Sequence, residues 1–96
     1  MSGPEQKIQS KIIKYLESIG AYIVKVIKAT KAGVPDIIAC LNGRFIALEV
    51  KTPKGRPSEL QLYNIEKIQK AGGIAGVVRS VEDVKTLIKD SFTTAT

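Results

Sequence analysis

A chain of 96 residues, 44% hydrophobic and 25% charged, has the length of one modest domain and the composition of a globular one, which excludes disordered and fibrous classes. Fifteen Lys+Arg against nine Asp+Glu leave a formal charge of +6, favouring a polyanionic partner such as nucleic acid. The single Cys40 excludes an internal disulfide, and the lack of histidine excludes Ser-His-Asp and Cys-His catalysis and Cys/His zinc sites.

Chemistry in this chain must therefore use carboxylates, lysines, amides or hydroxyls. Carboxylates are hard oxygen ligands, and the metals that suit them are Mg²⁺ or Mn²⁺. No apolar run approaches the roughly 20 residues of a bilayer span. The N-terminal MSGPEQK lacks the apolar stretch of a signal peptide. The expectation is a protein of the cytoplasm (the host cytoplasm, if viral) with no membrane partner.

In chain order, Gln6 to Ile19 is predicted as an amphipathic helix. Ile8, Ile12, Leu16 and Ile19 share one face, Pro4 suits the first turn and Gly20 ends the helix. Ala21 to Ile27, rich in β-branched residues, reads as a strand. A loop with Lys28, Lys31, Gly33 and Pro35 leads to a second strand, Asp36 to Leu41. Asn42-Gly43 is a strong hairpin signal, and Arg44 to Lys51 forms the third strand. The basic turn TPKGRP precedes a helix from Ser58 to about Ala71, with Leu62, Ile65 and Ile68 facing inward. Gly72-Gly73 ends that helix, and Ile74 to Arg79 makes a fourth strand. Ser80 caps a last helix with Val84, Leu87 and Ile88 on its apolar stripe, and the tail 91–96 is expected to fray. The order α-β-β-β-α-β-α implies one α/β domain, with a core over about 5–90 and a mixed four-stranded sheet flanked by helices.

The hairpin turn sets the register of the chemistry. A two-residue turn pairs Leu41 with Arg44, so Cys40 meets Phe45, Ile38 meets Ala47, and Asp36 meets Glu49. Alternation puts Phe45, Ala47, Glu49 and Lys51 on one face with Asp36, Ile38 and Cys40. Carboxylates about 5 Å apart repel by roughly 3 kcal/mol at an effective dielectric of 20, whereas a favourable cross-strand pair contributes about 0.2–1 kcal/mol. The pair is a net cost unless a divalent cation or an ammonium offsets it, and Lys51 supplies an ammonium on the same face. The competing reading places both acids at strand ends in water, where their repulsion is screened.

Gly33-Val34-Pro35-Asp36, followed after twelve residues by Glu49-Val50-Lys51 and then by Ser58-x-x-Gln61, resembles the signature of the PD-(D/E)xK nucleases. More narrowly, the chain resembles the virus-type replication-repair nuclease (VRR-NUC) domain over Glu5 to about Lys89. The resemblance implies a restriction-endonuclease-like fold and metal-dependent hydrolysis of DNA phosphodiesters, leaving a 5′-phosphate and a 3′-hydroxyl. It implies that Asp36, Glu49 and the Val50 backbone carbonyl hold Mg²⁺ or Mn²⁺. Lys51 would orient or help deprotonate the attacking water, or neutralise developing charge. Stand-alone members look like homodimers suited to four-way junctions, so a Holliday junction resolvase is the leading specific expectation and a general structure-selective endonuclease the next.

Gln61 matches the family's active-site glutamine, but Ser58-x-x-Gln61 also reads as a helix capping box. Glu5 matches a helical glutamate that reaches the metal site in the family, but also suits a helix N-terminus as a first-turn acid. Lys28, Lys31, Lys54 and Arg56 flank the acid-bearing strands and are candidates for DNA phosphate contacts, though each alone also reads as a solvated surface charge. Cys40 is expected to be a small buried hydrophobe, and Tyr15, Tyr22 and Tyr63 packing or interface residues. Two other readings stand beside the nuclease: a non-catalytic nucleic-acid-binding module on the same fold, and an interaction module of a larger complex.

Overall fold

The computed structural model describes residues 3–93. Helix α1 (Pro4–Ser18) is followed by β1 (Tyr22–Lys25), β2 (Ile37–Leu41), β3 (Arg44–Val50), α2 (Glu59–Lys70), β4 (Ile74–Val78) and α3 (Val81–Thr93). The strands form one sheet in the order β1-β2-β3-β4. β1 and β2 run antiparallel to their successors, and β3 runs parallel to β4. The sheet is therefore mixed, and α2 is the crossover that a parallel pair requires.

Asn42 and Gly43 both have positive φ, at 51° and 79°. That is the backbone of a type I′ turn, whose twist matches the two strands it joins. The register follows as expected: Leu41 pairs with Arg44, Cys40 with Phe45 and Ile38 with Ala47, ending at Ile37 with Leu48. Strand β2 begins at Ile37, so Asp36 lies one step beyond the ladder, beside Glu49.

Period-two alternation divides the core between two faces of the sheet. Ile37, Ala39, Leu41, Ile46, Leu48, Val50, Ile74 and Val78 pack with Ile12 and Leu16 of α1 and Val84 of α3. On the opposite face Ala47 and Ala75 pack against Ile65 of α2, with Ile68 and Val77 beside them. The two alanines leave room for the α2 backbone to approach. Because α2 packs chiefly over β3 and β4, the same face of β2 stays partly uncovered.

Four expectations are corrected by this packing. Cys40 is exposed rather than buried, because it lies on the part of β2 that α2 does not cover. Leu62 is 48% exposed, since the inward positions of α2 are taken by Asn64 and Ile65. Strand β1 spans Tyr22–Lys25 rather than reaching Ile27, and Ile27 is exposed. The segment expected to fray continues α3 through Thr93: Phe92 packs on the larger core and lies under the Arg44 guanidinium, 5.5 Å from its ring centroid. Residues 94–96 of that tail lie outside the described residues.

Gly33, at φ 78°, meets α2 so closely that an added Cβ would come 2.7 Å from Leu60 Cγ and 2.9 Å from Asn64 Nδ2. Gly20, at φ 89°, has open space at the same position. Left-handed backbone costs a side-chain-bearing residue roughly 1–2 kcal/mol, and overpacking adds about 1–3 kcal/mol. Gly33→Ala is therefore expected to destabilise by clearly more than Gly20→Ala. Urea denaturation of both variants checks the ordering.

Candidate active site

Asp36 is held from both ends. Its backbone carbonyl accepts from the Val26 N–H at 2.8 Å, tying it to the chain leaving β1. Its Oδ2 accepts from the Val50 N–H at 2.9 Å, tying it to the end of β3. The loop before it is clamped from α2, where Asn64 Nδ2 donates to Ala32 O at 3.2 Å and to Leu60 O at 2.9 Å. Pro35 between them is buried.

Glu49 sits opposite Val77, one pair before the end of the β3–β4 ladder, and is 1% exposed. Its Oε2 accepts from Gln61 Nε2 at 3.2 Å and lies 3.7 Å from Lys51 Nζ. Its Oε1 is buried without a partner. Gln61 serves two roles at once: its Oε1 accepts from the Ser58 N–H at 2.8 Å while the Ser58 hydroxyl accepts from the Gln61 N–H at 3.1 Å. The helix cap thus aims the amide nitrogen at Glu49, and the two readings of Gln61 are compatible in a single conformation.

The third acid comes from α1. Carboxylate oxygens of Glu5, Asp36 and Glu49 all lie within 4.8 Å of one another. Burial first, then the Asp36 charge and the hydrogen bond that a protonated Glu49 would share with Asp36, raise the Glu49 pKa from 4.5 to about 8; Lys51 opposes the rise and Glu5 adds to it. Three converging carboxylates with one buried oxygen left over could hold a hard cation.

A family model for the VRR-NUC domain matches residues 2–82. The chain belongs to the VRR-NUC family. A curated relative, "Putative nuclease p44" of Acyrthosiphon pisum secondary endosymbiont phage 1, is 32% identical over 59 residues, which are 60% of this chain and 63% of that protein. This VRR-NUC chain thus spans less than two thirds of that relative's length. Two solved VRR-NUC domain structures share its fold. One has a TM-score of 0.79 at 28% identity, covering 92% of this chain and 97% of the other. The second has a TM-score of 0.74 at 20% identity, with coverages of 97% and 91%. Archaeoglobus fulgidus Hjc, a Holliday junction resolvase, has the same fold at a TM-score of 0.61 and 21% identity, covering 77% of this chain and 66% of that one.

Within this VRR-NUC fold the predicted site residues separate into two groups. Glu5, Asp36, Glu49, Lys51 and Gln61 converge, with Val50 at the end of β3 between two of them. The basic candidates are spread. Lys54 and Arg56 line one cleft on the turn after β3, Lys31 lines another beside α2, and Lys28 is exposed on the loop between β1 and β2.

Two supporting residues escaped the sequence reading. Asn64 clamps the loop before Asp36; a polar residue inside an otherwise apolar helix face was its available cue. Arg79 donates from Nη1 to Thr52 O at 2.7 Å and to Gly55 O at 2.6 Å, holding the turn that carries Lys54 and Arg56. No sequence pattern marks that contact, because it joins the end of β4 to a turn that is distant along the chain.

In EDTA, folded Glu49 retains a proton that the unfolded chain releases between pH 4.5 and about 8. Glu49's contribution to stability is therefore fully present below pH 4.5 and declines as pH rises towards 8. Thermal unfolding in EDTA is expected to show this decline, and Glu49→Gln is expected to flatten it.

Proposed function

We propose that this nuclease-family domain is a Mg²⁺- or Mn²⁺-dependent DNA endonuclease, selective for DNA structure, with the four-way junction as its leading substrate. The observation that carries this reading is the convergence of the Glu5, Asp36 and Glu49 carboxylates beside the Lys51 ammonium. As a purely structural feature this cluster is unfavourable. The raised Glu49 pKa and its buried, partnerless Oε1 are what a cradle shaped for a cation looks like before the cation's charge is counted.

Asp36 and Glu49 would hold the ion, with Glu5 and the Val50 carbonyl completing the oxygen donors. When bound, the ion supplies Lewis-acid polarisation of the phosphate and a water of lowered pKa. Lys51 reaches the same oxygen of Glu49 as Gln61 does, so its ammonium is positioned to orient the attacking water or to neutralise charge on the phosphate. Gln61 keeps Glu49 from rotating out of the cradle. Lys28, Lys31, Lys54 and Arg56 would bind backbone phosphates, which makes affinity salt-dependent.

A non-catalytic DNA binder would gain by losing acids that face phosphates, so retention of the whole cluster favours catalysis. The likeness in fold to the Holliday junction resolvase Hjc supports a junction substrate. A four-way junction is two-fold symmetric and needs two cuts, so one site per small chain calls for a two-fold homodimer. A host-cytoplasm setting fits the phage relative, and no helix among the described residues is long and apolar enough to cross a membrane.

The test compares cleavage of a four-way junction and a linear duplex of the same sequence, with Mg²⁺, Mn²⁺ or EDTA. Metal-dependent cutting of the junction is expected, abolished in Glu49→Ala and reduced by about 10²–10⁴-fold in Lys51→Ala. Tight binding without cutting under either metal would favour the non-catalytic module. The double variant Lys54→Ala/Arg56→Ala is expected to lower the salt-dependence slope of DNA binding by about 2, which titrations at several salt concentrations check. Sedimentation is expected to show a dimer, and a monomer at high concentration would count against two-fold junction resolution.

A further inference from the structure

Two buried side-chain oxygens among the described residues have no hydrogen-bond partner, Glu49 Oε1 and Gln9 Oε1. The first belongs to the carboxylate cluster. The second sits on α1 one turn beyond Glu5, and Gln9 is 6% exposed. Residues four apart on a helix share a face, and Glu5 and Gln9 line the same cleft with Lys25, Ile27 and Thr52.

A buried amide oxygen without a partner is a cost that folding alone gives no reason to keep. Gln9 lies between Ile8 and Ile12, in a helix whose inner face is otherwise apolar, so a methionine or leucine would bury with less penalty. What distinguishes the glutamine is a neutral oxygen acceptor on the wall that carries Glu5. A fourth carboxylate there would deepen the repulsion among the three already present. A hydrated Mg²⁺ or Mn²⁺ held by few protein ligands keeps several waters, each of which is a hydrogen-bond donor seeking an acceptor.

We propose that Gln9 is a further positioning residue of this centre: its Oε1 accepts a hydrogen bond from a water of the divalent cation held by Glu5, Asp36 and Glu49. The inference rests on the metal-dependent reading above and adds a residue to it. Gln9 acts through that water, fixing its direction and anchoring the ion's hydration shell to α1.

Mn²⁺ titration by calorimetry on the purified full chain, together with thermal unfolding in EDTA, tests it. The variants are Gln9→Met and Gln9→Leu, which remove the acceptor at similar volume, and Gln9→Glu, which keeps an oxygen at the same reach. Loss of such an outer partner typically weakens metal binding by about 10–100-fold. Gln9→Met and Gln9→Leu are expected to weaken Mn²⁺ binding by at least the lower of these values, while their unfolding temperatures in EDTA equal or exceed that of the wild type. Gln9→Glu is expected to retain binding. Wild-type Mn²⁺ affinity in Gln9→Met or Gln9→Leu would overturn the role of Gln9 and leave the nuclease reading intact. So would a loss of stability in EDTA without a change in affinity, which marks a structural amide. Failure of the wild type itself to bind Mn²⁺ would overturn the metal-dependent reading, and this inference with it.

Discussion

The Glu49 carboxylate lies inside the protein, 1% exposed, near the end of the strand that pairs with both β2 and β4. Removing a carboxylate from water is costly unless it is protonated, hydrogen-bonded or paired. The surrounding structure supplies part of each remedy. Gln61 donates to one oxygen, Lys51 places an ammonium near it, and the pKa rises to about 8. The other oxygen receives nothing. Glu5 and Asp36 then bring further negative charge to the same place. These charges repel in the protein alone, and the cation of the proposed function would offset them.

Holding the acids together against their repulsion falls to the backbone. Asp36 accepts the Val50 N–H with one oxygen while its own carbonyl accepts from Val26, so the end of β3 and the chain beyond β1 are both fastened to it. Helix α2 closes the other side. Its first turn uses the Ser58–Gln61 cap to direct an amide at Glu49, and one turn later Asn64 grips the loop in front of Asp36. A single helix therefore positions both acids, and it can do so because Ala47 and Ala75 let it lie close to the sheet. Gly33 is required where the loop meets that helix, since a side chain there would collide with Leu60 and Asn64.

Charge is distributed with a similar division of labour. Lys51 is partly buried and faces the acids, whereas Lys54 and Arg56 stand on an exposed turn. Arg79 spends its guanidinium on the carbonyls of that turn, making it a brace for the basic residues rather than one of the exposed cations. The family resemblance drawn from GVPD, EVK and SxxQ agrees with the family match over residues 2–82, and the order of elements agrees with it as well.

The hairpin register was legible without coordinates. Asn42-Gly43 admits few turn types, and period-two arithmetic then carries Asp36 to the side of Glu49. Helix faces and caps were legible for the same kind of reason: they depend on neighbours within about one turn. Other features depended on where one element stops covering another. Cys40 and Leu62 share the apolar character of core residues, but Cys40 lies beyond the footprint of α2 on the sheet and Leu62 is on the outward side of α2 itself. Phe92 found a place against the core and Arg44 that the polar residues around it did not suggest. Glu5, Gln9, Asn64 and Arg79 owe their positions to helix and strand packing across long chain separations, which no local period encodes. The sequence by itself determined the elements, the hairpin and the pairing of two acids, because these follow from short-range backbone geometry. Only the tertiary structure decided that a third acid from α1 joins them and that Glu49 is buried, because both depend on how the helices dock on the sheet.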